Sequence, residues 1–154
     1  MRFATAAALA LLSETSLGAQ TPVAMSDLTT VTPIGGDWSY AQVADGSEAV
    51  FTNVSKYPQL WVHCSRATRH VTIARAATAP AAVMNVWTSS VTRTEPSSFN
   101  PSSGRLTIDF TNYDPLLDAI ATSRGRLGFA IGNAPALVVP AWAEVARVIE
   151  DCRA

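Results

Sequence analysis

The chain has 154 residues, 48% of them hydrophobic and 15% charged, with a formal net charge of -1. A balance this close to neutral creates no long-range field toward nucleic acid or an anionic membrane surface, so neither is an expected partner. Ten of the eleven basic residues are arginine, Lys56 being the exception, which fits either a GC-rich genome or planar, bidentate recognition of anions.

After Met1 and Arg2 comes the apolar run Phe3 to Leu12, then a polar stretch ending in Ser16-Leu17-Gly18-Ala19. This is the three-part layout of a secretory signal, so residues 1–19 read as a signal peptide cleaved after Ala19. The run is well short of the roughly 20 residues a membrane-spanning helix needs, and no later segment is both long and apolar enough. The mature chain is therefore expected in the periplasm with no membrane span. No cysteine stands near the cleavage site to carry a lipid. About 135 residues remain, the usual size of one domain with its own core. The two cysteines, Cys64 and Cys152, allow one intramolecular pairing, and in an oxidising compartment they read as a structural disulfide.

Residues 20–36 mix Thr, Pro, Ser and Gly without a sustained period and read as a flexible or loosely docked N-terminal arm. Residues 37–154 read as a single β-rich domain. Trp38 and Tyr40 alternate with polar neighbours as on a half-buried strand, Asp45-Gly46 supplies a turn, and Ala49 to Thr52 a returning strand. Gln59 to Cys64 and Val71 to Arg75 form a second pair, with Leu60, Val62 and Cys64 on one face and Trp61 and His63 on the other. Val83 to Thr88 alternates again and is expected to continue to Arg93, while the Pro-, Ser- and Asn-rich stretch Glu95 to Gly104 reads as a loop. Arg105 to Phe110 resumes the strand pattern. Asp114 before Pro115 predicts a capped helix to about Thr122, with Gly125 as a stop. Leu127 to Ile131 and Ala136 to Val139 read as a hairpin. A last helix is expected from Ala141 to Cys152, with Trp142, Val145, Ile149 and Cys152 on one face. The sum is eight or nine strands and two short helices: an antiparallel β-sandwich or open barrel with the C-terminal helix packed on it.

The polar residues carry no complete catalytic pattern. His63 and His70 are the two histidines, and a disulfide-bonded Cys64 is neither a metal ligand nor a nucleophile, so no metal or cofactor is expected. Asp114 and Asp118, with Asp109 as a third member, are the carboxylates a hydrolase would use, and would need a cleft shared with Arg124 or Arg126. Asp114 and Asp118 equally suit the positive end of a helix. Ser123-Arg124-Gly125-Arg126 offers either helix-end arginines, Arg124 capping and Arg126 pairing with an acidic neighbour, or a small anion site joined by Arg105 or Arg147. The four tryptophans fit core positions better than a stacking platform, except that Trp61 shares the face opposite Cys64 and is a candidate contact. Arg66, Arg69 and His70, in the turn after Cys64, complete the candidate contact residues.

Three segments, Asp114-Pro115-Leu116-Leu117-Asp118-Ala119-Ile120, Ser123-Arg124-Gly125-Arg126 and the ending Pro140 to Arg153, resemble a group of uncharacterised exported proteins of alphaproteobacteria, the sphingomonad type. The order of helix, Gly-Arg turn, two strands and cysteine-bearing helix is similar in topology to the invasion-associated locus B proteins. The resemblance implies an envelope protein with a β-sandwich that acts by binding, and transfers no functional residue. The expected function is thus a noncatalytic periplasmic binding or accessory protein for an envelope protein or a small anionic ligand. A small hydrolase and a purely structural envelope component are the alternatives.

Overall fold

The structure is a computed structural model that describes residues 27–132 and 134–154; the expected signal segment and the first part of the arm lie outside the described residues. In chain order the strands are β1 (Gly36–Val43), β2 (Gly46–Asn53), β3 (Pro58–Ser65), β4 (His70–Ala76), β5 (Val83–Trp87), β6 (Thr92–Pro96), β7 (Ser98–Asn100) and β8 (Arg105–Thr111). Helix α1 (Pro115–Ala121), β9 (Arg126–Ile131), β10 (Leu137–Pro140) and helix α2 (Ala143–Arg153) complete the chain. The strands form a six-stranded sheet, β1-β2-β3-β4-β8-β7, and a four-stranded sheet, β10-β9-β5-β6, with every pairing antiparallel.

Alternation of side chains decides which face of each sheet is buried. Phe51, Leu60, Val62, Ile73 and Ile108 from the larger sheet join Met84, Val86, Leu127 and Phe129 from the smaller in one continuous core cluster. Burying each such side chain contributes about 1.5–3 kcal/mol relative to exposure. Arg75 is the polar intrusion between the sheets. It projects from β4 and donates to the carbonyl oxygens of Phe129 at 2.6 Å and Pro135 at 3.0 Å, while burial lowers its pKa.

Both long sides of the sandwich are pinned. On one, β6 runs directly into β7, so a single segment leaves the smaller sheet and joins the larger; Ser97 at the bend donates through N–H to Ala82 and through Oγ to Ala81, both at 2.9 Å. On the other, Trp38 Nε1 on β1 donates to the Pro140 carbonyl of β10 at 2.8 Å. Helix α1 begins where the Asp114 carboxylate accepts from the Leu116 N–H at 2.8 Å, and it buries Leu116, Leu117 and Ile120. Helix α2 buries Val145, Val148, Ile149 and Cys152 and rests on β2 and β3, so the C-terminal helix packs on the sheet as expected. Cys152 is bonded to Cys64, with Cα atoms 5.4 Å apart, which fastens α2 to an interior strand.

Three expectations are corrected. Thr88 to Arg93 does not continue β5: Thr88 Oγ1 accepts from the N–H groups of Ser90 and Val91, closing a turn that sends β6 back antiparallel to β5. The stretch Glu95 to Gly104 is not all loop, because it contains the end of β6 and all of β7. Pro96 and the polar residues around it sit on sheet edges, where a missing N–H and solvent-facing side chains are tolerated. These two strands bring the count among the described residues to ten, beyond the eight or nine expected. Trp142 does not share the buried stripe of α2: it is the extended residue before the first helical turn and is 44% exposed.

The described part of the arm lies against the outer face of the smaller sheet. Leu28 is buried there, and its Cδ1 fills the space above Gly128, where an added Cβ would stand 2.2 Å away. Arg126 donates to the carbonyl oxygens of Leu28 at 3.2 Å and Val31 at 2.6 Å, and the Ile34 N–H bonds to Val138 on the β10 edge at 2.8 Å.

Candidate functional site

The outer face of the six-stranded sheet is built in rows by strand register. Glu48, His63, Thr72 and Asp109 stand directly opposite one another across β2, β3, β4 and β8. The next row is Val50, Trp61, Ala74, Thr107 and Ser98. In the third, Arg105 lies opposite Ala76 on one side and Asn100 on the other. Ala74 and Ala76 project little, so the sheet face is hollow along β4. Neighbouring strands are about 4.8 Å apart, and Arg105 uses the hollow to reach from β8 across β4 to β3. There its guanidinium lies over the Trp61 ring, 3.7 Å from the centroid. The groove so formed encloses about 500 Å³, with Phe99 and Ser103 at its β7 end and His63 and Glu48 at the other.

Most polar groups on this face are committed to one another. His63 Nε2 is 3.1 Å from Asp45 and its Nδ1 is 4.0 Å from Glu48. His70 Nδ1 pairs with Asp109, whose other oxygen accepts from Thr72 Oγ1 at 2.9 Å. The hydroxyls of Ser98 and Thr107 bond to each other at 2.9 Å. The exceptions are the Arg105 guanidinium, which makes no hydrogen bond or ion pair with any described residue, the amide nitrogen of Asn100, and the Glu48 carboxylate, which has only its 4.0 Å approach to His63. The Asn100 side-chain oxygen accepts from the N–H groups of Ser102 at 3.0 Å and Ser103 at 3.3 Å, which orients Nδ2 away from its own turn.

Among the described residues no serine, threonine or cysteine hydrogen-bonds either imidazole, and no group of three or more His, Cys, Asp or Glu side chains is placed to hold a metal. The face therefore presents charge, hydrogen-bond donors and one aromatic platform without an assembled nucleophile and base.

The residues singled out in the sequence fall in three separate places. Trp61 lies in the groove and His70 on the same face beyond it. Arg66 is exposed in the β3–β4 turn; Arg69 has a left-handed backbone (φ 57°) and donates to the carbonyl oxygens of Cys152, at 3.1 Å, and Ala154, anchoring the chain end. Arg124 and Arg126 belong to the far side of the molecule. Arg126 holds the arm by carbonyl oxygens and not by an acidic neighbour, and Arg124 is exposed, with its backbone N–H on Ser89 Oγ at 2.9 Å. Thr122, not Arg124, caps α1. Arg147 lies over Tyr40, 3.9 Å from its ring centroid, so it does not join Arg124 and Arg126.

The carboxylates of the hydrolase alternative are likewise dispersed. Asp109 pairs with His70, Asp118 lies 2.9 Å from Arg153, and Asp114 receives a two-pronged contact from Arg93 at 2.8 and 3.0 Å. Burial acts to raise the Asp114 pKa, but hydrogen bonds from Arg93 and the Leu116 N–H, with the Arg93 charge, outweigh it and leave the value lowered. Among the described residues each of the three carboxylates has a different partner, and none pairs with Arg124 or Arg126.

Sequence reasoning did not place Arg105, Asn100 or Glu48 beside Trp61. The alternation of Arg105, Thr107 and Asp109 marks one face of a strand, but Asn100 was hidden inside a stretch with loop composition. No helix among the described residues is long and apolar enough to cross a membrane. The chain matches no family model, no curated protein and no solved structure.

Proposed function

We propose that the protein is a noncatalytic periplasmic binding or accessory domain of the cell envelope, and that the groove around Trp61 and Arg105 takes its ligand. The observation that carries this reading is the Arg105 guanidinium, held flat on Trp61 inside a 500 Å³ hollow with its donors unused by described residues. A polar group with unspent hydrogen-bonding capacity beside an aromatic ring is the ordinary furniture of a ligand site. The buried Cys64–Cys152 bond supports an oxidising compartment, as does the signal-like segment at the start of the chain. Kinship with the exported alphaproteobacterial proteins that the chain resembles rests on the three segments Asp114 to Ile120, Ser123 to Arg126 and Pro140 to Arg153.

The test is a survey of small polar fragments against the oxidised protein, read by amide chemical shifts, with the Trp61→Ala and Arg105→Ala variants in parallel. Fragment-induced shifts clustered on β3, β4 and β8, and lost in both variants, establish the groove. Shifts confined to the Ser123 to Arg126 turn, or none in the groove, refute it. Cell fractionation with thiol alkylation tests the compartment: a reduced, cytoplasmic protein overturns the periplasmic placement.

A further inference from the structure

Resting on the groove as a ligand site, we propose that its ligand is a hydroxylated organic monocarboxylate, with the carboxylate gripped by the Arg105 guanidinium and Asn100 lining the same hollow. Arg105 and Asn100 are opposite residues of β8 and β7 and rise from the same face, Asn100 staying at the β7 end of the hollow while the Arg105 guanidinium reaches across β4 to Trp61. Both present N–H donors that no described residue accepts. The Trp61 ring fixes the plane of the guanidinium and leaves its edge open, the geometry in which arginine grips a planar carboxylate with two parallel hydrogen bonds. The Asn100 amide, oriented by Ser102 and Ser103, offers a neutral donor at the β7 end of the same hollow.

Charge selects the class of anion. Arg105 is the arginine lining the groove, and Glu48 lines the same hollow with Asp45 and Asp109 close by on the same face. Glu48 repels any anion in the hollow, but the repulsion is about twice as large for a phosphate monoester, carrying nearly two negative charges, as for a singly charged carboxylate, whose charge the one guanidinium matches. The rest of the ligand lies over Ala74 toward Thr72, His63 and Glu48, which accept or exchange hydrogen bonds with hydroxyl groups. From the Trp61 row to the His63 row is two residues along a strand, about 7 Å, the span of one six-membered ring.

The experiment titrates the oxidised protein with D-glucuronate, D-glucose and D-glucose 6-phosphate, three probes that share a ring and differ in the charged group, with sodium chloride as the ionic control. Shifts are followed at Arg105 Nε–H and the Asn100 side-chain amide. Glucuronate is expected to move both in the millimolar range, at least about tenfold more tightly than glucose. Arg105→Gln and Asn100→Asp each weaken it about tenfold or more, Asn100→Asp retaining the oxygen that caps its turn. Arg105→Lys, which keeps the charge without the fork, weakens it as well, and that loss separates recognition from simple charge attraction. Equal response to glucose or to glucose 6-phosphate overturns the carboxylate assignment while leaving the groove a ligand site. Silence of both reporters toward all three probes also overturns it; the groove itself falls only with the fragment survey described above.

Discussion

Removing the disulfide with the paired variant Cys64→Ala/Cys152→Ala tests how the C-terminal helix is held. The bond closes a separation of 88 residues, for which the loss of denatured-chain entropy amounts to about 4–5 kcal/mol at room temperature. For a domain of this size each kcal/mol corresponds to about 4 °C in thermal midpoint. Measured losses commonly fall below the chain-entropy figure, so a drop of about 8–18 °C is expected in scanning calorimetry. The variant still folds at room temperature, because Val145, Val148 and Ile149 keep α2 on the sheet and each contributes about 1.5–3 kcal/mol of burial. The single variants separate crosslinking from packing. If loss of the crosslink dominates, Cys64→Ala and Cys152→Ala each lose nearly as much as the pair; if the buried sulfur atoms matter for packing alone, the two losses add. A midpoint within about 2 °C of the parent, with alkylation showing free thiols in the untreated protein, refutes the reasoning.

Three further outcomes are expected. Asp114→Asn keeps a good helix cap but loses the charge that Arg93 grips, at a cost of about 1 kcal/mol in urea unfolding near neutral pH. Since the folded carboxyl has a lowered pKa, its contribution is complete above the unfolded value of about 4 and disappears as pH falls through the folded value, so parent and variant converge in acid; a difference constant from pH 7 to 2 contradicts this. Gly46→Ala places a Cβ 1.8 Å from the backbone oxygen of Cys64, which no side-chain movement relieves, and is expected to lower stability by about 3 kcal/mol in the same assay. Ser47→Ala removes a buried hydroxyl that has no hydrogen-bond partner among the described residues, and is expected to raise the urea midpoint by the equivalent of about 1 kcal/mol; a lower midpoint shows that the hydroxyl is satisfied.

How far the fold could be read in advance depended on whether a segment's side-chain pattern or its backbone chemistry decided its structure. Strands β3 and β8 alternate cleanly because one face meets the core and the other does not, and the pairing of Cys64 with Cys152 followed from there being two cysteines. Helix α1 announced itself through Asp114 and Pro115, whose roles are local. Strands β6 and β7 announced nothing. Their residues, Thr92 to Pro96 and Ser98 to Asn100, lie at sheet margins where little is buried, and tertiary pairing with β5 and β8 overrides a composition that favours loops. Trp142 misled in the opposite way: it falls at helical spacing from Val145 and Ile149, but the helix starts one residue after it.

The same distinction separates the two arginine clusters. Ser123-Arg124-Gly125-Arg126 is conspicuous in the sequence because its residues are contiguous, yet Arg126 spends its donors on the carbonyl oxygens of Leu28 and Val31 and so secures the arm over Gly128. The pair Trp61 and Arg105 is separated by 44 positions and becomes adjacent only because β3, β4 and β8 are neighbours and Ala74 and Ala76 leave the path between them open. Contiguity in sequence marks residues that act on their own segment. A binding surface on a sheet draws instead on every second residue of several strands, so its members are far apart along the chain and its floor is set by the smallest side chain in the middle strand. Ala74 is such a residue, and Ala74→Leu is expected to fill the hollow and displace Arg105 from Trp61, read as loss of the ring-current shift at Arg105 Nε–H. The face that carries the proposed function is thus defined as much by two alanines as by the arginine that crosses them.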